Sequence, residues 1–181
     1  MNRGWCNKMF KLNLGCGRDI KKGYINLDRA KLNGVDIIHD LSKFPYPFPE
    51  NHFNEILSFG TVELIDADFI KIMEELWRIS ENKGLVKIRG PVFPSMCSAQ
   101  DPLTKKFLTW NTFEYFNEYW GHYTRARFRT LKKRYIYSLN SKLNWLSFLP
   151  NIFPTFYTRF LFFIFPCNNI YYELEVIKER H

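Results

Sequence analysis

Apolar and polar positions follow two different periods along this chain. Residues 11–15 (KLNLG), 23–28 (GYINLD) and 35–40 (VDIIHD) are short runs rich in Leu, Ile and Val, each closed by Gly or Asp. Each reads as a strand. The Pro-rich residues 44–53 (FPYPFPENHF) read as a loop and residues 54–60 (NEILSFG) as a fourth strand. The period then becomes helical: Phe69, Ile72, Met73, Leu76 and Ile79 fall on one face. Asp66 is the candidate N-cap of that helix, Asp68 lies in its first turn, and Lys83-Gly84 reads as its stop. Residues 85–91 (LVKIRGP) give a fifth strand. Near-continuous apolar strands with an intervening helix predict an α/β fold whose mostly parallel sheet is covered on both faces.

The second half is patterned differently. Residues 92–106 read as loop, and residues 109–120 (TWNTFEYFNEYW) as an aromatic helix capped by Asn111 or Thr112. Residues 125–139 have strand character and carry Arg125, Arg127, Arg129, Lys132, Lys133 and Arg134, with Lys142 just beyond. Residues 169–180 alternate as a final strand. Between them, residues 143–168 form an apolar insertion in which Arg159 is the only charge. A membrane-spanning helix needs about 20 uninterrupted apolar residues. Pro150 and Pro154 break this stretch, and Asn151 and Arg159 add polarity. Residues 154–165 (PTFYTRFLFFIF) predict one short helix, Pro154 at its first position, apolar nearly all round. Such a helix either packs into the protein as a lid or core element or lies on a membrane surface or a partner.

At 181 residues the chain is expected to form one domain, 1–181, and 46% apolar against 24% charged residues excludes a disordered class. A net charge of +8 suits an anionic partner: nucleic acid, an anionic lipid surface or a phosphorylated substrate. Cys6, Cys16, Cys97 and Cys167 are scattered with no CxxC pair, and His39, His52, His122 and His181 have no metal spacing. No metal site is expected. The first ten residues lack an apolar signal core, so the expected setting is cytoplasmic and reducing.

The chemistry concentrates in residues 11–28 (KLNLGCGRDIKKGYINLD). Glycines flanking Cys16 let the backbone turn sharply and approach a ligand, and amides exposed at a strand end bind carboxylate or phosphate. Asp28, at the tip of the next strand, is placed to accept from two ribose hydroxyls, and Asp40 closes strand three near where an adenine amine would lie. Ligands of open α/β sheets bind at the carboxyl ends of strands. Leu14, Gly15, Cys16, Gly17, Asp28, Asp40, Leu41, Phe59 and Gly60 all fall there. A dinucleotide site would want a third glycine where Ile20 stands. Only residues 18–22 separate Gly17 from Gly23, so the helix whose N-terminus holds a pyrophosphate is shortened or missing. A single nucleoside with a carboxylate tail fits better, and S-adenosylmethionine is such a molecule.

The stretches LNLGCG…GYINLD, VDIIHDL, FPENHFNEIL and EELWRISENKG resemble the short class I S-adenosylmethionine-dependent methyltransferases of the methyltransferase-type-11-like kind. The resemblance spans residues 11–116 and returns in FIFPCNNIYYELEVIK. It implies a Rossmann-like seven-stranded sheet in the order 3-2-1-4-5-7-6 with an antiparallel last strand. It also implies that the glycine loop holds the methionine part, Asp28 the ribose, and Asp40-Leu41 the adenine. The chain departs from the family in three places. Residues 60–64 (GTVEL) keep only Glu63 of a His-x-x-Glu-His-like stretch, and Thr104 stands where His is common beside Asp101, Pro102 and Lys105. The third, Asn82-Lys83-Gly84-Leu85 in place of Lys-Pro-Gly-Gly, is cosmetic. Glu63 and Asp101 remain as candidate catalytic residues, and Trp110 and Tyr115 as an aromatic acceptor pocket. Methyl transfer is an in-line displacement in which positioning supplies much of the rate.

The expected function is methyl transfer, with oxygen favoured, to a small molecule or a glycan or lipid-linked intermediate. A non-catalytic relative that binds a membrane or partner is one alternative, and an RNA methyltransferase another. The basic run adjoins the apolar insertion, which favours an anionic membrane surface over nucleic acid.

Overall fold

The computed structural model describes residues 10–117, 119, 123–138 and 142–178. Seven strands form one sheet: β1 (Phe10–Leu14), β2 (Ile25–Asp28), β3 (Ile37–Ile38), β4 (Phe53–Phe59), β5 (Ser80–Pro91), β6 (Arg127–Ile136) and β7 (Asn169–Ile177). Their order is β3-β2-β1-β4-β5-β7-β6. The first five pair in parallel, and β7 runs antiparallel to both β5 and β6. This is the order and the antiparallel last strand that the resemblance implies.

Helix α1 (Phe69–Ile79) lays Ile72, Met73, Leu76 and Ile79 into the core, as its period predicts. Its N-cap is Asp68 rather than Asp66: Asp68 Oδ1 accepts from Ile70 N at 2.7 Å and Lys71 N at 3.3 Å. Asp66 instead pairs with Lys105 at 3.4 Å. The helix stops at Ser80, whose extended backbone and hydroxyl bond to Leu76 O end the turn before Lys83-Gly84 is reached.

The sheet is not covered equally on its two faces, against the sequence expectation. Val86 and Ile88 of β5 and Ile170, Tyr172, Leu174 and Val176 of β7 are buried in the core that α1 joins. The alternate positions Lys87, Arg89, Tyr171, Glu173 and Glu175 are half-buried. On that second face Glu55 bonds Tyr24 and pairs with Lys87 at 3.2 Å and Lys11 at 3.8 Å. These charges are half-buried and satisfied by pairing with one another, whereas full burial under a helix would cost more of their solvation. Among the described residues no helix lies between β1 and β2, between β2 and β3, or between β3 and β4.

The aromatic segment after residue 108 forms one 3-10 turn, Thr112–Phe116, rather than the predicted longer helix; it buries Phe113 and Phe116. Residues 118 and 120 of that prediction lie outside the described residues. Within the predicted loop 92–106 a short helix, α2, spans Met96–Gln100. The insertion contains a 3-10 turn (Lys142–Ser147), then α3 (Phe148–Ile152), then α4 (Pro154–Phe156), which widens into a π-turn over Tyr157–Leu161. Pro150, Tyr157 and Phe162 point inward. Tyr157 Oη donates to Phe165 O and accepts from Cys167 N, both at 2.8 Å. The outward positions are exposed, so the insertion packs on one side only. Among the described residues no helix is long and apolar enough to cross a membrane.

Candidate functional site

The loop after β1 keeps its shape without a helix because two buried asparagines scaffold it. Asn13 and Asn26 are register partners on β1 and β2. Asn13 Nδ2 donates to Asn26 Oδ1 at 3.0 Å and to Asp19 O at 2.8 Å, and Asn26 Oδ1 accepts from Lys21 N at 2.8 Å. Asp36 Oδ2 accepts from Asn26 N at 2.7 Å. Side chains thus satisfy the backbone groups that helical bonds would otherwise satisfy.

Gly15 and Gly17 both have left-handed backbones, at φ +64° and +50°. They serve different ends. A Cβ on Gly15 would lie 2.2 Å from Thr61 Cγ2, and Thr61 Oγ1 donates to Leu14 O at 3.1 Å, so this glycine locks β1 to the loop after β4. A Cβ on Gly17 meets nothing within 4 Å, so the space above it is open. The Gly17 amide donates to Asp28 Oδ2 at 2.8 Å, and Asp28 Oδ1 accepts from Ala30 N at 2.9 Å. Asp40 accepts from Ser42 N at 3.0 Å and Ser42 Oγ at 2.8 Å, which lowers its carboxyl pKa. Leu41 is held from behind by Tyr46, whose hydroxyl donates to Leu41 O at 3.1 Å.

These groups surround a cavity of about 380 Å³, within the range roughly 300–1,000 Å³ typical of small-ligand sites. Gly15, Asp28, Asp40, Leu41 and Gly60 line it, with Thr61, Arg29, Leu103 and Lys105. Leu14, Cys16, Gly17 and Phe59 are not in its wall. Leu14 and Cys16 are buried beneath it, and burial, then the Asp28 charge, pushes the Cys16 thiol up. Phe59 stacks under Arg89 at 4.4 Å.

Glu63 is 2% exposed and lies just behind this wall. A Cβ on Gly60 would stand 4.0 Å from Glu63 Oε1. Among the described residues Glu63 Oε2 has no hydrogen-bond partner. Burial, with a smaller contribution from the Asp101 charge, raises its pKa to about 7. Asp101 itself is exposed and turns the chain, accepting from Leu103 N at 2.8 Å. The structure thus links the two candidate acids electrostatically but lines the cavity with neither.

The two aromatic candidates separate. Trp110 stacks on Tyr135 at 4.7 Å with Lys133 4.9 Å over its ring, away from the cavity. Tyr115 lines a second, more apolar cavity of about 690 Å³ with Phe69, Phe107, Phe116 and Tyr123. Sequence reasoning passed over Asn13, Asn26 and Thr61. A polar residue inside an apolar strand run was the available signal for the asparagines; Thr61 offered none. Among the described residues no three His, Cys, Asp or Glu side chains are grouped to hold a metal ion.

No protein-family model and no curated protein sequence matches the chain. Solved structures do. A SAM-dependent methyltransferase from Archaeoglobus fulgidus matches 92% of this chain and 86% of its own at 16% identity and a TM-score of 0.63. YcgJ of Bacillus subtilis matches 97% of this chain and 95% of its own at 11% identity and a TM-score of 0.59. The [4+2]-cyclase SpnF matches 94% of this chain and 75% of its own at 12% identity and a TM-score of 0.58. The chain therefore has the class I S-adenosylmethionine-dependent methyltransferase fold. A cyclase on the same fold is a reminder that the reaction must be argued from the site.

Proposed function

We propose that this protein is an S-adenosylmethionine-dependent methyltransferase acting on the oxygen of a small molecule or of a glycan or lipid-linked intermediate. The observation that carries the reading is the convergence of Gly15, Asp28, Asp40 and Gly60 on one cavity at the carboxyl ends of β1, β2, β3 and β4. The donor set suits the cofactor. Asp28 offers carboxylate oxygens to ribose hydroxyls, Asp40-Leu41 flanks the adenine, and the space over Gly17 admits the methionine tail. When bound, the cofactor supplies a methyl group on a sulfonium. The protein's part is to hold acceptor and cofactor in line and to exclude water.

Glu63, whose carboxyl lies behind Gly60 and not in the cavity wall, is assigned to support the site from behind that wall, and not to touch the acceptor hydroxyl itself. Asp101 supports it by adding negative potential. Tyr115 and the aromatic cavity it lines suit the apolar face of a sugar or polyprenyl-like acceptor.

A thermal-shift panel tests the reading. S-adenosylhomocysteine at about 100 times its Kd stabilises by about 2.7 kcal/mol. In a domain of this size that raises Tm by roughly 5–10 °C. NADH should give no shift, and Asp28→Ala, with affinity lowered about a hundredfold, should cut the response to S-adenosylhomocysteine to roughly 1 °C. A folded wild type that responds to NADH and not to S-adenosylhomocysteine would refute it.

A further inference from the structure

The formal charge of +8 is distributed very unevenly. Of 26 Lys and Arg, eight lie between Tyr119 and Tyr172 (Arg125, Arg127, Arg129, Lys132, Lys133, Arg134, Lys142 and Arg159), and none of the 18 Asp and Glu does. The remainder of the chain, with 18 of each sign, is neutral. The acid-free stretch contains the insertion, whose outer side is apolar. Trp145, Phe148, Phe153, Phe160, Phe163 and Ile164 are all exposed, Phe163 to 82% and Ile164 to 78%. These side chains are not an unpacked core. The same insertion buries Tyr157, Phe162 and Cys167 against β6, so its apolar residues divide into an inner set and an outer set.

Cations and aromatics also meet in space. Arg134 shares a shallow cavity of about 240 Å³ with Trp145 and Phe148. Arg159 is exposed within the π-turn itself, and Lys142 is exposed at the start of the insertion. A protein interface core is depleted of charge, whereas aromatic residues at headgroup depth beside Lys and Arg are the composition of an anionic membrane surface. With no described helix able to span, the contact is one of lying on the bilayer.

We infer that the outer side of residues 145–165 is an interfacial membrane-binding surface selective for anionic lipid. Its position gives it a purpose. Strand β6 runs in the same direction as β1 to β5, so the insertion that follows it leaves the sheet at the carboxyl end, where the cavity opens. Three strand spacings, roughly 15 Å, separate β6 from β4. Phe93, Met96 and Phe107, in the segment after β5 that contains α2, are exposed as well. Docking would therefore turn the cavity mouth toward the headgroup layer. That an acceptor is taken from that layer rests on the methyltransferase reading above; the surface itself does not.

Co-sedimentation of the full chain tests the surface, using vesicles of phosphatidylglycerol mixed into phosphatidylcholine against phosphatidylcholine alone. Wild type should pellet with the anionic vesicles, and added salt should release it. Phe163→Ser/Ile164→Ser changes only exposed positions and should weaken binding roughly tenfold with an unchanged Tm. Arg134→Gln/Lys142→Gln/Arg159→Gln should remove the preference for the anionic lipid. Wild type left in the supernatant with anionic vesicles would overturn the inference. So would a wild-type dimer that the Phe163/Ile164 variant converts to monomer, because the face would then belong to a second copy. Cofactor binding, measured separately on the same variants, should not change, so failure of one reading is distinguishable from failure of the other.

Discussion

At the residue scale, Glu63 makes the sharpest prediction. Its carboxyl titrates near 4.5 when unfolded and near 7 when buried in the fold. The folded state therefore binds the proton more tightly, and its contribution is fully present below about pH 4.5 and is lost as pH rises through about 7. A difference of that size corresponds to roughly 3 kcal/mol. Urea unfolding of wild type should show stability falling over this window, and Glu63→Gln should flatten the fall. An unchanged slope in the variant would mean that another group carries the titration. Asp28 was legible as an acid that closes an apolar strand run, and Glu63 only through the family stretch that residues 60–64 resemble. Asn13 and Asn26 were not. An amide inside a strand run looks like a minor flaw in the pattern until its partners, the backbone groups of residues 19–24, are seen. Trp110 lines neither cavity and stacks on Tyr135 of β6; an aromatic ring has the same sequence signature whether it covers a strand or lines a pocket.

At the element scale, the two glycines of one loop should behave differently. Gly15→Ala must both adopt a left-handed backbone, at about 1–2 kcal/mol, and displace Thr61, at about 1–3 kcal/mol. Its stability should fall by roughly 2–5 kcal/mol in chemical denaturation. Gly17→Ala has only the backbone cost, so it should remain within about 2 kcal/mol of wild type while losing cofactor affinity, because its methyl enters the open space. Equal stability losses would contradict the division of labour. The strands and the buried face of α1 were readable from period and composition; its ends were not, since Asp66 and Asp68 are equivalent caps in sequence and only the hydrogen bonds choose Asp68. The uncovered sheet face was not, because short strands rich in Leu and Ile suggest cover on both sides. Only the structure showed Lys11 and Lys87 paired with a half-buried Glu55 on that face.

At the scale of the whole molecule, one end of the sheet gathers everything of functional interest. The glycine loop, the two acids, the buried Glu63 and the aromatic insertion all lie around the carboxyl ends of strands. The sequence placed the first three there, since topology follows from strand order and the ends are marked by Gly and Asp. The insertion resisted reading because helix period alone cannot say which apolar residues face the protein; packing on β6 divides them. The central claim is that the cavity beside Asp28 holds S-adenosylmethionine, and calorimetric titration of the folded protein with S-adenosylhomocysteine measures it most directly. The account predicts one site per chain, with affinity lowered roughly a hundredfold in Asp28→Ala, since two charge-assisted hydrogen bonds are lost. It also predicts no change in Phe163→Ser/Ile164→Ser. Absence of binding heat from folded wild type at about 1 mM ligand, confirmed at a second temperature, would contradict it.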